Sequence, residues 1–406
     1  MGKDYASIFT MALTKEKYFT NDDLRINRKI GILLTNKELL EYLSYKENSE
    51  SCLELPLKSF NSKKIFYCNC KELATSQREY FEYIQSSNLT NDSTIISENM
   101  DNILLSRIAS ELEGTLRIEG VNTTRKKILD VINNNAIKDD NDQIIYNMYK
   151  GMQFIRKAPD FNKDNLLELY KILSYKSLKE EDAPLNYYRT DMVEIGGHDG
   201  CPVNMIGECM DSLFAYVNNS LNQKFVLLPF IAHYYILYIH PYMDYNGRTA
   251  RMVSLWISNL LGTITLLPAY ISEAINDDKF NYYKAIDYSR NSNNDLTYFM
   301  IYLFNLANQY YMVYKNLSEI NNVLAQVGES LNNSEMHYLK RIIINRKRGW
   351  FNYNGFISFA NLSITKQGAL KILNHFLKLD LLLTKTNSKN EKVFLFNDEY
   401  LFFELS

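Results

Sequence analysis

Apolar side chains recur at helical spacing along most of the chain, and one run organises the rest. LPFIAHYYILYI, Leu228 to Ile239, predicts a largely apolar helix. Pro241 biases His240 away from the right-handed helical region, so that helix should end at the histidine and present it at an end. Asn246-Gly247 is a turn signal, and TARMVSLWISNLLG then carries apolar residues at helical spacing until Gly262 supplies a stop. The expected order is helix, tight loop, helix.

Upstream, residues 34–45 and 77–87 read as helices and 63–69 as a short strand. From Met100 the pattern sharpens: Ile108, Leu112, Thr115 and Glu119 lie on one face of a helix that Gly120 should terminate. A polar loop at 133–142 precedes helical patterns at 142–156 and 164–176. In YYRTDMVEIGGHDGCPVN (187–204), alternating side chains flank Gly196, Gly197 and Gly200, which predicts a hairpin inside a helical region. Helical patterns return at 275–290 and 295–311, followed by a polar connector near 316–333. The last segment reads as helix 334–348, FISFANL, a helix opening after Ser363 as N-cap, and two β-rich runs joined around Asn387 to Asn390.

Length allows two or three domains, and 46% hydrophobic residues suffice for sizeable cores. With 45 basic against 47 acidic residues, global charge argues for neither nucleic acid nor membrane, so any basic surface must be local. Cys68-Asn-Cys70 lacks a matching second pair for zinc, and the five cysteines read as ordinary thiols of a reducing compartment. No N-terminal signal-peptide core occurs, and no apolar run approaches the ~20 residues needed to span a bilayer. Met1-Gly2 begins like a myristoylation signal, but Ala6 stands where Ser or Thr is wanted. The expectation is a cytoplasmic protein without a membrane partner.

The candidate chemistry lies in HPYMDYNGRTAR, His240 to Arg251. A loop entering a helix at Asn246-Gly247 points free N–H groups and the positive dipole end at its surroundings, which favours phosphate. Arg248 and Arg251 add charge-assisted donors from the same first turn. Asp244 is a hard oxygen ligand suited to a Mg²⁺ that keeps most of its waters and bridges phosphates. Taken singly, each of these residues has an ordinary structural role; a base, a metal ligand, an anion site and two arginines within twelve residues do not combine readily by accident.

This stretch closely resembles the signature of the Fic family, H-P-F-x-D/E-G-N-G-R-x-x-R, with Tyr242 in place of Phe and Tyr245 in place of the first Gly. The resemblance covers roughly residues 95–310 and implies a mainly α fold: a Fic helical core with a β-hairpin flap. It implies an enzyme, a protein adenylyltransferase moving AMP from ATP to a Tyr, Thr or Ser hydroxyl of a target protein. His240 would be the general base and Asp244 would hold Mg²⁺; Asn246, Gly247 and Arg248 would cradle the α- and β-phosphates, and Arg251 would take the γ-phosphate. Gly247 favours nucleotide transfer, since relatives that phosphorylate their targets carry a bulkier residue there.

Thr115, Glu119 and Gly120 resemble the family's inhibitory motif (S/T)-x-x-x-E-(G/N), so Glu119 would pair with Arg251 and exclude a γ-phosphate. The hairpin would be the flap that receives an extended target segment by strand addition. Three helices and two β-rich runs at the C-terminus resemble a winged helix-turn-helix, with eleven Lys/Arg against six Asp/Glu from 334 to 406. Winged helices bind DNA and also serve as dimerisation and protein-docking modules, so DNA, a homodimer and self-modification all remain open. The expected domains are an accessory region (1–95), a Fic core (96–315), the connector (316–333) and a winged helix (334–406). Two alternatives stand beside AMP transfer: a DNA-binding regulator with a nucleotide-sensing or inactive Fic core, and a bifunctional enzyme that also removes AMP.

Overall fold

Short-range apolar spacing translates into helices almost throughout. The computed structural model describes residues 3–26, 30–89, 99–134, 137–157, 159–183, 186–223, 225–262, 271–360 and 364–404. The chain divides into two units, Met1–Ala307 and Asn308–Ser406.

The first unit opens with α1 (Tyr5–Thr14), α2 (Asn21–Ile26) and α3 (Asn36–Glu47), then the strands β1 (Cys52–Glu54) and β2 (Phe66–Cys68) and helix α4 (Lys71–Leu89). Thr35 starts α3 through a capping box with Glu38. The strands pair antiparallel, with Cys52 opposite Cys68. This N-terminal part is joined firmly to the rest of the unit. Lys46 Nζ donates to Asp295 Oδ2 at 2.9 Å with both side chains fully buried, and Tyr18 Oη donates to the same oxygen at 2.9 Å. Buried charge of this kind persists only when paired, so the pair ties α3 to the segment before the last helix of the unit.

Next come α5 (Asn99–Ile118), α6 (Arg125–Asn134), α7 (Asp140–Arg156) and α8 (Lys163–Ser174), the strands β3 (Glu194–Ile195) and β4 (His198–Asp199), then α9 (Val203–Ser220), α10 (Leu228–Ile239) and α11 (Asn246–Leu260). Helix α10 is buried at every position except Leu237, which makes it the central rod of the unit. After α11 come α12 (Ser272–Asp277), α13 (Lys279–Asn291) and α14 (Thr297–Gln326), in which the division between units falls. The helix expected over 275–290 is thus two helices, broken at Asp278.

The hairpin is present but short. Gly196 and Gly197 take φ of 57° and 79° at its turn, as a two-residue loop between right-twisted strands requires. Only Glu194↔Asp199 and Ile195↔His198 pair as strand, and Gly200 N donating to Val193 O at 2.8 Å extends the contact by one step.

The second unit contains α15 (Asn333–Ile344), α16 (Tyr353–Phe359), α17 (Lys366–Lys378), β5 (Leu382–Thr386) and β6 (Lys392–Phe396). The strands pair antiparallel, and Phe351 adds a bridge to Phe394. Ser363, the expected cap of α17, lies outside the described residues, and the cap is Thr365, which accepts from Gly368 N at 3.2 Å. The expected connector at 316–333 is largely helix: Leu317, Ile320, Leu324 and Leu331 are buried in the core of this unit with Leu339, Phe356, Leu373 and Phe394. Its many Asn and Ser residues obscure an apolar stripe at three- and four-residue spacing.

Candidate active site

His240 comes directly after the last residue of α10 and caps it in the left-handed conformation, φ 55°. Its N–H still donates to Ile236 O at 2.9 Å, so the side chain is carried on the rim of the central helix, partly buried. Burial, with the nearby charges of Arg189 and Arg290, pushes its imidazole down to about 4, which keeps it neutral at physiological pH. Nδ1 is shielded from solvent, and the backbone of Leu237 partly opposes the downward shift. A neutral imidazole of this kind can accept a proton.

The loop after it is braced from within. Asn246 Oδ1 accepts from Tyr242 N at 3.0 Å and its Nδ2 donates to Tyr242 O at 2.8 Å. The Asn246 side chain is therefore committed to shaping the loop, and what it can offer an anion is its main-chain N–H. Tyr242 stacks on Tyr170 of α8 at 3.6 Å between ring centroids, which anchors the loop from the other side. Tyr245 precedes α11 in the left-handed conformation, φ 67°, and its side chain supplies no cap to the helix. The N–H groups of the first turn are thus offered outward, with the positive end of the helix dipole behind them.

Asp244 is 58% exposed, and its Oδ1 accepts from Tyr245 N at 2.5 Å and from Arg248 Nη2 at 3.5 Å. Among the described residues no three His, Cys, Asp or Glu side chains gather into a metal site. A lone, exposed carboxylate beside an anion site nonetheless fits Mg²⁺ that keeps waters and takes its remaining ligands from phosphate.

Arg251 is buried, and two nitrogens of its guanidinium are engaged by α5. Nε donates to Thr115 Oγ1 at 2.7 Å, and Nη2 donates to Glu119 Oε1 at 2.6 Å and to Thr115 O at 3.4 Å. The position of Glu119 is set by how α5 ends. Gly120 takes φ 81°, its N–H donates to Arg117 O at 3.1 Å, and Val121 N donates to Leu116 O at 3.0 Å. This is a Schellman closure, which leaves Glu119 as the last residue before the turn with its side chain free to reach across. Lys279 Nζ of α13 donates to Ile118 O and pins the same end.

The carboxylate reaches the first turn of α11: a Cβ on Gly247 would lie 2.6 Å from Glu119 Oε1 and 3.4 Å from Arg251 Nη1. Against the opposing effect of burial, the Arg251 guanidinium lowers the Glu119 carboxyl below its ordinary range. A negative group already sits at the place where helix dipole and arginine favour one.

Residues 160–258 match the Fic/DOC family, a span that holds the hairpin, α10, the His240–Arg251 loop and nearly all of α11. This chain carries a Fic/DOC domain. A Fic family protein from Desulfovibrio desulfuricans G20, 16% identical, aligns over 82% of this chain and 97% of its own with a TM-score of 0.51. Fic-1 from C. elegans aligns at 15% identity over 61% of this chain and 72% of its own, TM-score 0.47. A Fic domain containing signaling protein from Bacteroides thetaiotaomicron VPI-5482 aligns at 17% identity over 65% and 99%, TM-score 0.45. At 16% identity the likeness to the Desulfovibrio protein is one of fold alone. Members of the family commonly transfer AMP or other nucleotide groups to proteins.

Within the Fic domain the hairpin is tied to the loop by a residue that carries no sequence signal. Arg189, buried, donates from Nε to His240 O at 2.8 Å and from Nη1 to Asp191 O at 2.5 Å, and also bonds Cys201 O. Its own N–H donates to Pro241 O at 2.9 Å. At the turn, Arg290 Nη1 of α13 donates to Ile195 O at 3.2 Å. A two-residue ladder is marginal alone, and these two arginines supply what the strand pairing does not. Tyr282 of α13 is buried with its hydroxyl 2.9 Å from His233 Nε2, whereas the neighbouring Tyr283 is 45% exposed.

Proposed function

We propose that the Fic domain is a protein adenylyltransferase, moving AMP from ATP to a Tyr, Thr or Ser hydroxyl of a target protein, and that Glu119 holds it inactive. The observation that supports this reading is the carboxylate at the N-terminus of α11: Glu119 Oε1 accepts from Arg251 Nη2 at 2.6 Å where a phosphate would otherwise be drawn. Anion-seeking groups at a helix start, occupied by a side chain of the same protein, imply a site for an anionic substrate with a built-in competitor.

With Glu119 displaced, the main-chain N–H groups of Asn246 and Gly247 and the guanidinium of Arg248 would hold the α- and β-phosphates, and Arg251 the γ-phosphate. Asp244 would hold Mg²⁺, which when bound neutralises phosphate charge. His240 takes the proton of the target hydroxyl as its oxygen bonds to the α-phosphorus; the bond from that phosphorus to the α–β bridging oxygen breaks, and pyrophosphate leaves. Gly247 leaves room beside the first turn, which agrees with an α-phosphate placed near the base. An extended target segment would pair with the open edge of the hairpin, held in place by Arg189 and Arg290.

The test is incubation of parent and Glu119→Gly protein with Mg²⁺ and ATP labelled at the α- or the γ-phosphate, with the protein itself and a cell lysate as acceptors. Label from the α-position only, stronger in the variant, is the expected result. Label from the γ-position would make the protein a kinase, and none from either would leave a nucleotide sensor.

A second activity has a separate basis. Lys366, Lys371 and Lys378 on α17, and Lys385, Lys389 and Lys392 on and between β5 and β6, are all exposed. We propose that the second unit is a winged helix that sets these lysines against DNA phosphates, in which case affinity falls steeply with salt. Binding that is absent at low salt would refute this.

A further inference from the structure

Tyr245 occupies a backbone conformation that a glycine adopts freely and a tyrosine does not, φ 67°. Such a residue persists when its side chain has a task that offsets the backbone cost. Here the side chain is engaged on both sides. Its ring carries the Arg248 guanidinium face-on, with Cζ 3.4 Å from the ring centroid, and its hydroxyl shares a hydrogen bond of 2.5 Å with Ser177 Oγ. Ser177 is in turn held from α7, where Asn147 Nδ2 donates to Ser177 Oγ at 3.3 Å and to Tyr175 O at 2.6 Å. Tyr245 is 3% exposed, so the ring stands in a fixed place between α8 and the first turn of α11.

Arg248 shows what the ring does. Its side chain is 8% exposed, it makes one polar side-chain contact among the described residues, Nη2 to Asp244 Oδ1 at 3.5 Å, and its buried Nε has no partner there. A guanidinium held by one face keeps its in-plane N–H groups clear of the ring, and those are the groups that bind oxyanions in a fork. An unpartnered, enclosed donor on a cation at a helix N-terminus is a donor that awaits an anion.

We propose that Tyr245 is a positioning residue: by stacking on Arg248 and bonding Ser177 it holds the guanidinium ready for the phosphate of an entering nucleotide. This rests on the reading of the loop as a nucleotide site, and it makes α7 and α8 part of that site through Ser177. The pre-organisation lowers the ordering required on binding, so its loss should appear in nucleotide affinity more than in turnover.

The experiment uses the full chain carrying Glu119→Gly, alone and with Tyr245→Phe, Tyr245→Gly or Ser177→Ala. Binding of inorganic pyrophosphate and of ADP is measured by calorimetry, beside melting temperature and the KM and kcat of AMP transfer. Tyr245→Phe, which keeps the ring, should bind within about twofold of its parent, and Ser177→Ala should weaken binding slightly. Tyr245→Gly should weaken pyrophosphate about tenfold and raise KM for ATP alike, with kcat changed by less than about threefold; its melting temperature should fall, because the lost burial of the ring outweighs the relieved left-handed backbone, while the protein stays folded at the assay temperature. Equal pyrophosphate affinity in Tyr245→Gly and its parent overturns the proposal, as does a Tyr245→Phe variant as weak as Tyr245→Gly. Because pyrophosphate binding requires no turnover, tyrosine-dependent binding without AMP transfer would support the positioning role and refute only the transferase reading. Absence of pyrophosphate binding in every protein would overturn both.

Discussion

Arg251 Nη2 and Glu119 Oε1 stand 2.6 Å apart across 132 residues of chain, and the pair joins the end of α5 to the start of α11. Glu119 keeps 27% of its side chain exposed while Arg251 keeps 3%, so the pair can open from the carboxylate side without uncovering the arginine. The guard role proposed for Glu119 would use that asymmetry, with the carboxylate leaving while the guanidinium stays in place.

Glu119→Gly should therefore raise AMP incorporation and lower the stability of the ATP-free protein. Removing one member of a fully buried pair costs about 3–5 kcal/mol; the partial exposure of Glu119 and the remaining Thr115 contacts reduce that to roughly 1–2 kcal/mol. MgATP should restore the loss by occupying the same place, so its effect on melting temperature should be larger in the variant than in the parent. Equal incorporation and equal ATP-induced shifts would reduce Glu119 to a helix-end residue.

His240→Ala should lower transfer by about 10²–10⁴-fold, the range of a lost general base, without unfolding the protein. The pH dependence is distinctive. With the imidazole pushed down to about 4, the base is still almost wholly neutral at pH 6, where an unperturbed histidine would be roughly three-quarters protonated. Activity should hold from pH 7.5 to about 5.5; a half-maximal point near 6.5 would assign the limb to an ordinary, exposed histidine.

Stability has the matching sign. Because the folded value lies below the unfolded one, the unfolded chain binds more protons between about 6.5 and 4, so the contribution of His240 is complete above that window and is lost as pH falls through it. The loss is of order 3 kcal/mol at most, and His233, pushed down to about 3 by burial, acts in the same direction. Melting temperature recorded from pH 7 to 4.5 should fall less in His240→Ala than in the parent.

Asp244→Ala should leave ATP binding largely in place and weaken the Mg²⁺ dependence of turnover, because the remaining ligands would be phosphate and water. Its loss also frees Arg248 from the 3.5 Å contact to Asp244 Oδ1, so titration with Mg²⁺ rather than a single activity value is the measurement. Full activity in EDTA would remove the metal from the reaction.

Cutting the chain before residue 334, as the apparent connector invites, should yield an insoluble product. It would strip Leu339, Phe356, Leu373 and Phe394 from Leu317, Ile320 and Leu324, which share one core. Such an apolar stripe left in water is an aggregation hazard. Shortening α14 towards Ala307 should recover solubility, as judged by size-exclusion chromatography, and turnover with the protein itself as acceptor would show that chemistry resides in the first unit.

The amino-acid sequence by itself determined the features that one or two turns of chain can decide. Pro241 ended α10 at His240, Asn246-Gly247 opened α11, Gly120 closed α5, and Gly196-Gly197 made the hairpin turn, because each signal acts through local backbone sterics and hydrogen bonds. Tertiary structure alone decided what those ends meet. Nothing within several residues of Arg189 indicates that it would bond His240 O and brace the hairpin, and nothing near Tyr245 indicates that its ring would lie under Arg248 while its hydroxyl reached Ser177. Only the fold shows that the Asn246 side chain closes the loop on Tyr242, which leaves its main-chain N–H as the group it can offer an anion. The residues at 316–333 read as a connector until Leu317, Ile320 and Leu324 are found buried together. These partners are chosen by which surfaces the fold buries and which donors burial leaves needing an acceptor, and that choice is made among residues far apart in the chain.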